Sequence, residues 1–537
     1  MDVIRIPVLI VGAGPIGMQT ALDLAWRGHA SMIVEQSVGV TVHPRAAGIA
    51  PRTMEFMRRW GIADDVRNAG FPEDFDFNIV YCTSLDGFKV GLQYYPSMRD
   101  RQPPTLSPEP RERCPQIWFD PILARALEKY PQVDFRRPWK LESFEDRGDD
   151  VSAIITDMTT GQQSQVIADH LVACDGVASG IRQTLGVPLE VDRVLSYSVN
   201  VVLDIPQFLT RHDKGPAERY LFLDNRGTWA NMTCIDGRDR WRFTLTGSEK
   251  QLDLATLDIE TPIRTALGPD TKYEILAVAP WRRRELIVAN FREGRILFAG
   301  DSAHSMSPTG GFGMNTGASD AVDLGWKLDA VLNGWAGPKL LDSYDFERRP
   351  VAIRNMKAST RNYAVWTAST DRYQHLLDPT PLGDETRAAV GASLSEQLKE
   401  EWESLGVQLG YRYEGSPVIV PDGTPPTPDE AGEYIPTTRP GHRAPHAWLS
   451  EGKSTIDLFG HGFVLVRFGG EATDVEAFTA AASRRGVPFR VVDIDDARVA
   501  ELYERKLVLV RPDGHVGWRG NTMPDDALAI IDTVRGA

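Results

Sequence analysis

The chain has 537 residues, 42% of them hydrophobic and 25% charged, so disorder and collagen-like repeats are excluded. At roughly 100–200 residues per domain, this length implies about three or four domains. Lys and Arg number 59 against 74 Asp and Glu, a net charge of −15 that disfavours nucleic acid and anionic membrane as partners. No apolar run approaches the ~20 residues of a membrane span. Cys82, Cys114, Cys174 and Cys234 are far apart and form no C-x-x-C pair, so zinc ribbons and dithiol motifs are excluded. With no signal-peptide pattern at the N-terminus, the expected compartment is the cytoplasm.

Residues 5–11 read as a short buried strand that runs into Gly12-Ala13-Gly14-Pro15-Ile16-Gly17. Helical spacing follows from Ile16 to Arg27, Gly28 is a stop signal, and Ser31–Glu35 reads as a second strand. This β-α-β unit begins a doubly wound sheet. Pro-rich residues 96–115 read as a surface excursion, after which helical patterning returns at Gln116–Tyr130. Residues 132–174 are rich in β-branched and aromatic residues, and residues 190–280 predict a separate sheet. Helices are expected over 317–358 and 359–408, with a break near Asp378-Pro379-Thr380-Pro381. The composition of 415–446 is that of a linker. Beyond it, strand-like 462–468, helical 475–485, and strand-like 489–494 and 507–511 suggest a small α/β unit of about 90 residues.

Three motifs converge on one ligand. In Gly12-x-Gly14-x-x-Gly17 the first glycine permits a tight turn and the second lets backbone approach a pyrophosphate. The third lets helix and strand pack closely. The helix N-terminus offers free N–H groups to phosphate, and Glu35 can accept hydrogen bonds from a ribose. The second motif is Asp175-Gly176 at a strand end, followed by Ser179. The third is Gly300-Asp301, continuing through Pro308-Thr309-Gly310-Gly311-Phe312-Gly313-Met314-Asn315 into a helix. That loop has little side-chain bulk, so its backbone could lie against a flat ligand.

These motifs, in this order and spacing, resemble the single-component FAD-dependent aromatic (phenol) hydroxylases of the para-hydroxybenzoate hydroxylase superfamily. His43-Pro44-Arg45-Ala46 with Arg52-Thr53-Met54-Glu55, and Gln116, also resemble FAD-contacting stretches. The tail from Pro440 to Gly514 resembles the thioredoxin-like C-terminal domain of phenol and polyketide hydroxylases. The resemblance implies an α/β fold with a Rossmann-type FAD-binding domain from 1–190 and 280–400. A β-rich substrate domain is inserted at 190–280, a linker spans 401–445, and a thioredoxin-like domain occupies 446–537. With no cysteine in that last domain, it is read as an architectural or oligomerisation module, and a homodimer is one such assembly.

The resemblance further implies roles for individual residues. Gly12, Gly14, Pro15, Gly17, Glu35 and Gln36 would hold the ADP half of FAD. Arg45 and Gln116 would contact its phosphates or ribityl chain, and Asp175 would serve FAD and NAD(P)H handling. Gly300 and Asp301 would meet the ribityl chain, with Pro308, Gly311, Gly313, Met314 and Asn315 beside the isoalloxazine. The implied reaction is hydroxylation of a phenolic ring, with NADH or NADPH reducing FAD and O2 adding to it as a C4a-hydroperoxide. The family's phenol-hydroxylase carboxylate is missing, since the corresponding stretch is Ala46-Ala47-Gly48-Ile49. His43 and Arg283 are the substitute candidates at the substrate hydroxyl, with Pro308 at the ring. The alternatives are a Baeyer–Villiger or other tailoring oxygenase on an aromatic polyketide, and a non-catalytic FAD-binding scaffold.

Overall fold

The computed structural model describes residues 2–39, 46–368, 371–470 and 475–537. Its first sheet, eight-stranded among the described residues, is built on the buried run of β1 (Asp2–Val11). Helix α1 (Pro15–Trp26) returns the chain to β2 (Ser31–Val34), with Pro15 at the first helical position and Gly28 closing the helix at φ +96°. Helix α2 (Pro51–Arg59) follows. Two strands, β3 (Ile79–Cys82) and β4 (Lys89–Gln93), come before α3 (Gln116–Leu127). The first sheet then gains β5 (Val133–Arg136), the hairpin β6 (Trp139–Asp146) and β7 (Val151–Asp157), and β8 (Gln163–Ala173).

The second sheet comprises β9 (Leu189–Asp204), β10 (Arg219–Asp224), β11 (Gly227–Cys234), β12 (Arg240–Ser248) and β13 (Glu274–Val288). Its order is β13-β9-β12-β11-β10-β3-β4, with His304–Ser305 beside β13. Thus residues 79–93, expected with the first segment, complete the second sheet, because β3 runs parallel to β10. The intervening length of sequence concealed that pairing. Strand β14 (Ile296–Phe298) re-enters the first sheet, giving the parallel order β14-β8-β1-β2-β5. Two long helices, α4 (Phe312–Leu332) and α5 (Asp342–Thr367), precede α6 (Pro381–Gln397), with the helix break falling near the expected Asp378–Pro381.

The C-terminal unit contains β15 (Phe463–Phe468), α7 (Glu476–Arg484), β16 (Phe489–Ile494), α8 (Ala497–Tyr503), β17 (Leu507–Val510), β18 (Val516–Gly520) and α9 (Ala527–Val534). Its order β16-β15-β17-β18, parallel then antiparallel, is the thioredoxin-like arrangement. One hydrophobic cluster unites its Phe463, Leu465, Phe478 and Ile531 with Trp326 of α4 and with Trp335 and Leu340 of the connection from α4 to α5. A buried ion-pair network reaches across the same boundary from Arg511 to Glu347. Arg511 binds Glu347 (2.5 Å) and Asp513 (2.7 Å), Lys327 bridges Asp323 and Glu347 at 2.7 Å each, and Arg443 pairs with Glu55.

Two further stretches differ from their sequence readings. The expected linker is a packed strap, in which Tyr411, Tyr413, Val418, Arg443 and Ala444 are buried. Its backbone joins the edge of β18 through Gly441 N–H to Val516 O and Val420 N–H to Gly517 O. Proline and glycine content reports local conformation, not where a segment's hydrogen bonds go. The expected surface excursion likewise buries Ser107, Glu109, Glu112, Arg113 and Cys114. Among the described residues no helix is long and apolar enough to cross a membrane.

Candidate functional site

Strand order brings the three motifs together. β14, β8 and β1 are adjacent and parallel, so Gly12, Cys174-Asp175 and Gly300-Asp301 emerge side by side at their C-terminal ends, where open α/β sheets hold ligands. Gly12 sits at φ +102°, and a Cβ there would lie 2.4 Å from the Cys174 carbonyl oxygen. A Cβ at Gly17 would lie 2.0 Å from Gly12 O, whereas one at Gly14 would meet nothing within 4 Å. The first and third glycines therefore serve packing, and the second faces open space. Glu35 braces the turn: its Oε2 accepts from Ala13 N–H (2.9 Å) and its Oε1 from Ser37 N–H (2.7 Å). Gln36 is exposed beside it.

Asp175 accepts from Ile181 N–H (3.2 Å) through Oδ2, while its Oδ1 is buried with no hydrogen-bond partner. Arg182 ties this motif to the third by donating to Ser302 O (2.8 Å) and Val177 O (2.8 Å). At Gly300, a Cβ would press on Ile16 at 2.8 Å, and its N–H donates to Asp320 Oδ2 (3.2 Å). Asp320 is held in turn by His304 (2.6 Å) and Arg348 (2.8 Å), so His304 is a buried brace behind the Gly300-Asp301 turn.

The loop after Met306 leads into α4, whose N-cap is Gly311 at φ +69°. Asn315 anchors it: Oδ1 accepts from Ala50 N–H (2.9 Å) and Thr53 Oγ1 (2.8 Å), and Nδ2 donates to Gly48 O (3.1 Å) and Gly311 O (2.8 Å). A Cβ at Gly311 would meet nothing within 4 Å, and one at Gly313 only Met306 Cγ at 3.8 Å. Pro308, Gly313 and Met314 are half-buried along this open cradle. Gln116 begins α3 and its side chain donates to Asp120 Oδ2 (3.1 Å). Of the residues expected at the site, His43 and Arg45 lie outside the described residues.

Facing the loop is one side of the second sheet. Register aligns Val202, Arg242, Thr233 and Arg219 in one row and Asn200, Thr244, Asn231 and Leu221 in the next. The opposite side carries Val201, Phe243, Met232 and Tyr220, which with Phe222 and Trp241 form a closed core around Phe208. The alternating aromatics of 219–245 thus pack mostly away from the loop, and the side toward it is polar.

Arg283 pairs in register with Ser196 and is 3% exposed. Its Nη1 donates to Ser307 Oγ (2.7 Å), and its guanidinium lies 4.2 Å from the Tyr363 ring centroid. Burial pushes its pKa down to about 10, against the pull of Tyr363 and Glu401. Glu401 was not legible in the sequence, because it lies on a four-residue helix 91 positions from the loop it serves. It accepts from Trp366 Nε1 (2.6 Å), Arg219 (3.3 Å) and Gly310 N–H (3.4 Å), tying sheet to loop. Burial raises its pKa, with Arg219 opposing the shift.

An FAD-binding-domain family model matches residues 5–359, and an aromatic-ring hydroxylase C-terminal model matches 437–536. The chain belongs to the FAD-dependent aromatic-ring hydroxylases. This monooxygenase is 33% identical to the FAD-dependent monooxygenase apdD of Emericella nidulans, over 98% of this chain and 90% of that one. It is 32% identical to tetracenomycin A2 monooxygenase-dioxygenase of Streptomyces glaucescens, over 99% and 96%. The solved structure of the rebeccamycin biosynthetic enzyme RebC with reduced flavin matches with a TM-score of 0.91 and 38% identity, covering 99% of both chains. FAD is thus this monooxygenase's cofactor, and its strand ends fit such a ligand. Gly14, Gly176 and Gly311 each leave room where backbone must approach, and Asp175 Oδ1 awaits a partner.

Proposed function

We propose that this FAD-dependent monooxygenase hydroxylates a phenolic ring of a multi-ring aromatic substrate, consuming one NAD(P)H and one O2. The balance is ring C–H, O2, NAD(P)H and H⁺ giving ring C–OH, water and NAD(P)⁺. The observation that carries this reading is the polar sheet face opposite the Pro308–Asn315 loop, with Arg283 buried at its end against Ser307. Relatives described as polyketide-acting or phenol-acting oxygenases support an aromatic substrate.

Bound FAD supplies the electrons and the oxygen activation. In our reading Gly12, Gly14, Pro15, Gly17, Glu35 and Gln36 hold its ADP half. Gln116, Asp175, Gly300 and Asp301 take its centre, and Pro308, Gly311, Gly313, Met314 and Asn315 lie along its ring. Backbone N–H groups opening α4 stabilise negative charge on that ring. Arg283, whose hydrogen-bond partner is a hydroxyl rather than a carboxylate, holds the phenolic oxygen as a phenolate and so enriches the substrate ring. Buried Asn231, Thr233 and Thr244 orient further substrate oxygens and keep bulk water from the ring.

The test is oxidation of NADH and NADPH by the FAD-loaded protein across single-ring and multi-ring phenols, with product mass and peroxide measured together. A substrate-stimulated rate with a +16 product is expected. Products with the mass gain inserted as a ring ester or lactone would replace hydroxylation by Baeyer–Villiger chemistry. Stimulation that yields peroxide alone across the multi-ring members would refute the substrate assignment.

A further inference from the structure

Two half-buried, oppositely charged side chains near the glycine turn act on each other electrostatically without pairing. Arg137 follows β5, and its Nη2 donates to Ala13 O (3.3 Å), inside the Gly12–Gly17 turn. Its guanidinium lies 4.8 Å from the Phe135 ring centroid. Asp120 stands one helical turn beyond Gln116 on α3 and is hydrogen-bonded to it through Oδ2. Asp120 Oδ1 and Arg137 Nε are both buried with no hydrogen-bond partner. Arg137 is close enough to pull on the Asp120 carboxyl electrostatically, yet among the described residues the two form no ion pair.

A buried donor or acceptor left unsatisfied costs about 1–3 kcal/mol. Two such groups of complementary chemistry do not pair, and next to the Ala13 oxygen that Arg137 meets, a Cβ at Gly14 would find nothing within 4 Å, so a third group can reach this corner of the turn. That group must accept from a guanidinium and offer an oxygen to a carboxyl. A phosphate ester linked to a ribose does both.

We propose that Asp120 and Arg137 form a second clamp on the pyrophosphate–ribose segment of FAD, with Arg137 donating Nε–H and Asp120 donating its carboxyl proton. The protonated form follows from charge: an ionised carboxylate would repel the pyrophosphate. Burial already pushes the Asp120 carboxyl up to about 7, opposed by Gln116 and Arg137. The other titratable group facing it is the Cys114 thiol, which burial pushes up to about 12 and which is neutral throughout. Binding FAD therefore raises this carboxyl further and takes up a proton. The resulting affinity is fully present below pH 7 and is lost as pH rises toward the carboxyl's value in the complex.

The test is the FAD dissociation constant of the holoenzyme between pH 6 and 8.5 at fixed ionic strength, read by flavin fluorescence. Wild type should weaken by up to about tenfold per pH unit above pH 7, the limit for one proton. Asp120→Asn keeps the hydrogen-bonding shape but cannot ionise, so it should match wild type at pH 6 and stay flat. Arg137→Gln should bind FAD about tenfold more weakly at pH 6 and keep a pH slope. A flat wild-type profile would overturn the clamp, as would an Asp120→Asn protein that keeps the wild-type slope. If Asp120→Asn does not fold, the wild-type slope and Arg137→Gln decide. None of these readouts depends on the aromatic substrate.

Discussion

Two single-methyl substitutions in one turn should have opposite consequences. Gly17 has no unusual backbone requirement, but a Cβ there would lie 2.0 Å from the Gly12 oxygen and 3.3 Å from Cys174 Cβ, so α1 must retreat from the sheet by more than an ångström. Overpacking of that kind costs about 1–3 kcal/mol, which corresponds to a fall of roughly 2–4 °C per kcal/mol in a domain of 150–250 residues. Gly14 has φ −70° and ψ 178°, a conformation open to alanine, with nothing within 4 Å of its Cβ. Alanine there should leave the FAD-free protein unchanged or up to about 1 kcal/mol more stable, through the restricted unfolded chain. It should nevertheless weaken FAD binding by tenfold or more, because the methyl would occupy the space through which backbone meets pyrophosphate. The assay is thermal unfolding of FAD-stripped Gly14→Ala and Gly17→Ala, paired with FAD titration. Equal loss of melting temperature in both variants would refute this division of the turn into packing and ligand-facing glycines.

Removing charge from the buried network should be severe. Arg511→Met strands Glu347 and Asp513 without their guanidinium and should cost about 3–5 kcal/mol in urea unfolding. Acid should destabilise the fold well before its ion-paired carboxylates, such as Glu55 and Glu347, protonate. Burial holds His170 and His515 down at about 4, so the unfolded chain binds these protons first and stability drains away as pH falls from 6.5 to 4. Each contributes about 3 kcal/mol of that loss, readable as a falling urea midpoint. Arg283→Gln should cut hydroxylated product at least tenfold while peroxide per NAD(P)H rises, in the coupled assay of oxidation and product.

How legible the molecule was in sequence varied with the range of the interaction. The β-α-β start needed only local signals: apolar runs, glycine spacing and an acidic strand end, all realised between Asp2 and Val34. The thioredoxin-like tail was readable for the same reason. What was missed is non-local. β3 and β4 joined a sheet whose nearest strand, β10, begins 137 residues after Cys82, and no periodicity encodes that pairing. The strap at 411–446 carried turn-forming residues and yet is buried, because Tyr411, Tyr413 and Arg443 fill space between elements distant in sequence. Strand alternation did place aromatics and polar residues on opposite sides of β10–β12, but it could not say which side met the loop. At the site, glycines and acidic strand ends stood out. Asp120 had one usable signal, its helical spacing of four from Gln116. Glu401 and Arg137 had none.

The ion pairs and shared hydrophobic cluster at residues 437–536 bear on how such enzymes could be recombined. A cut placed at the start of the strap would separate Arg443 from Glu55 and Arg511 from Glu347, and would bare Trp326 and Trp335 to water. A donor tail grafted there would succeed only if it carried matching arginines and a matching apolar face. The natural seam for exchange therefore runs through three dimensions rather than along the chain. Homologous tails should be inherited with α2, α4 and α5 as one set.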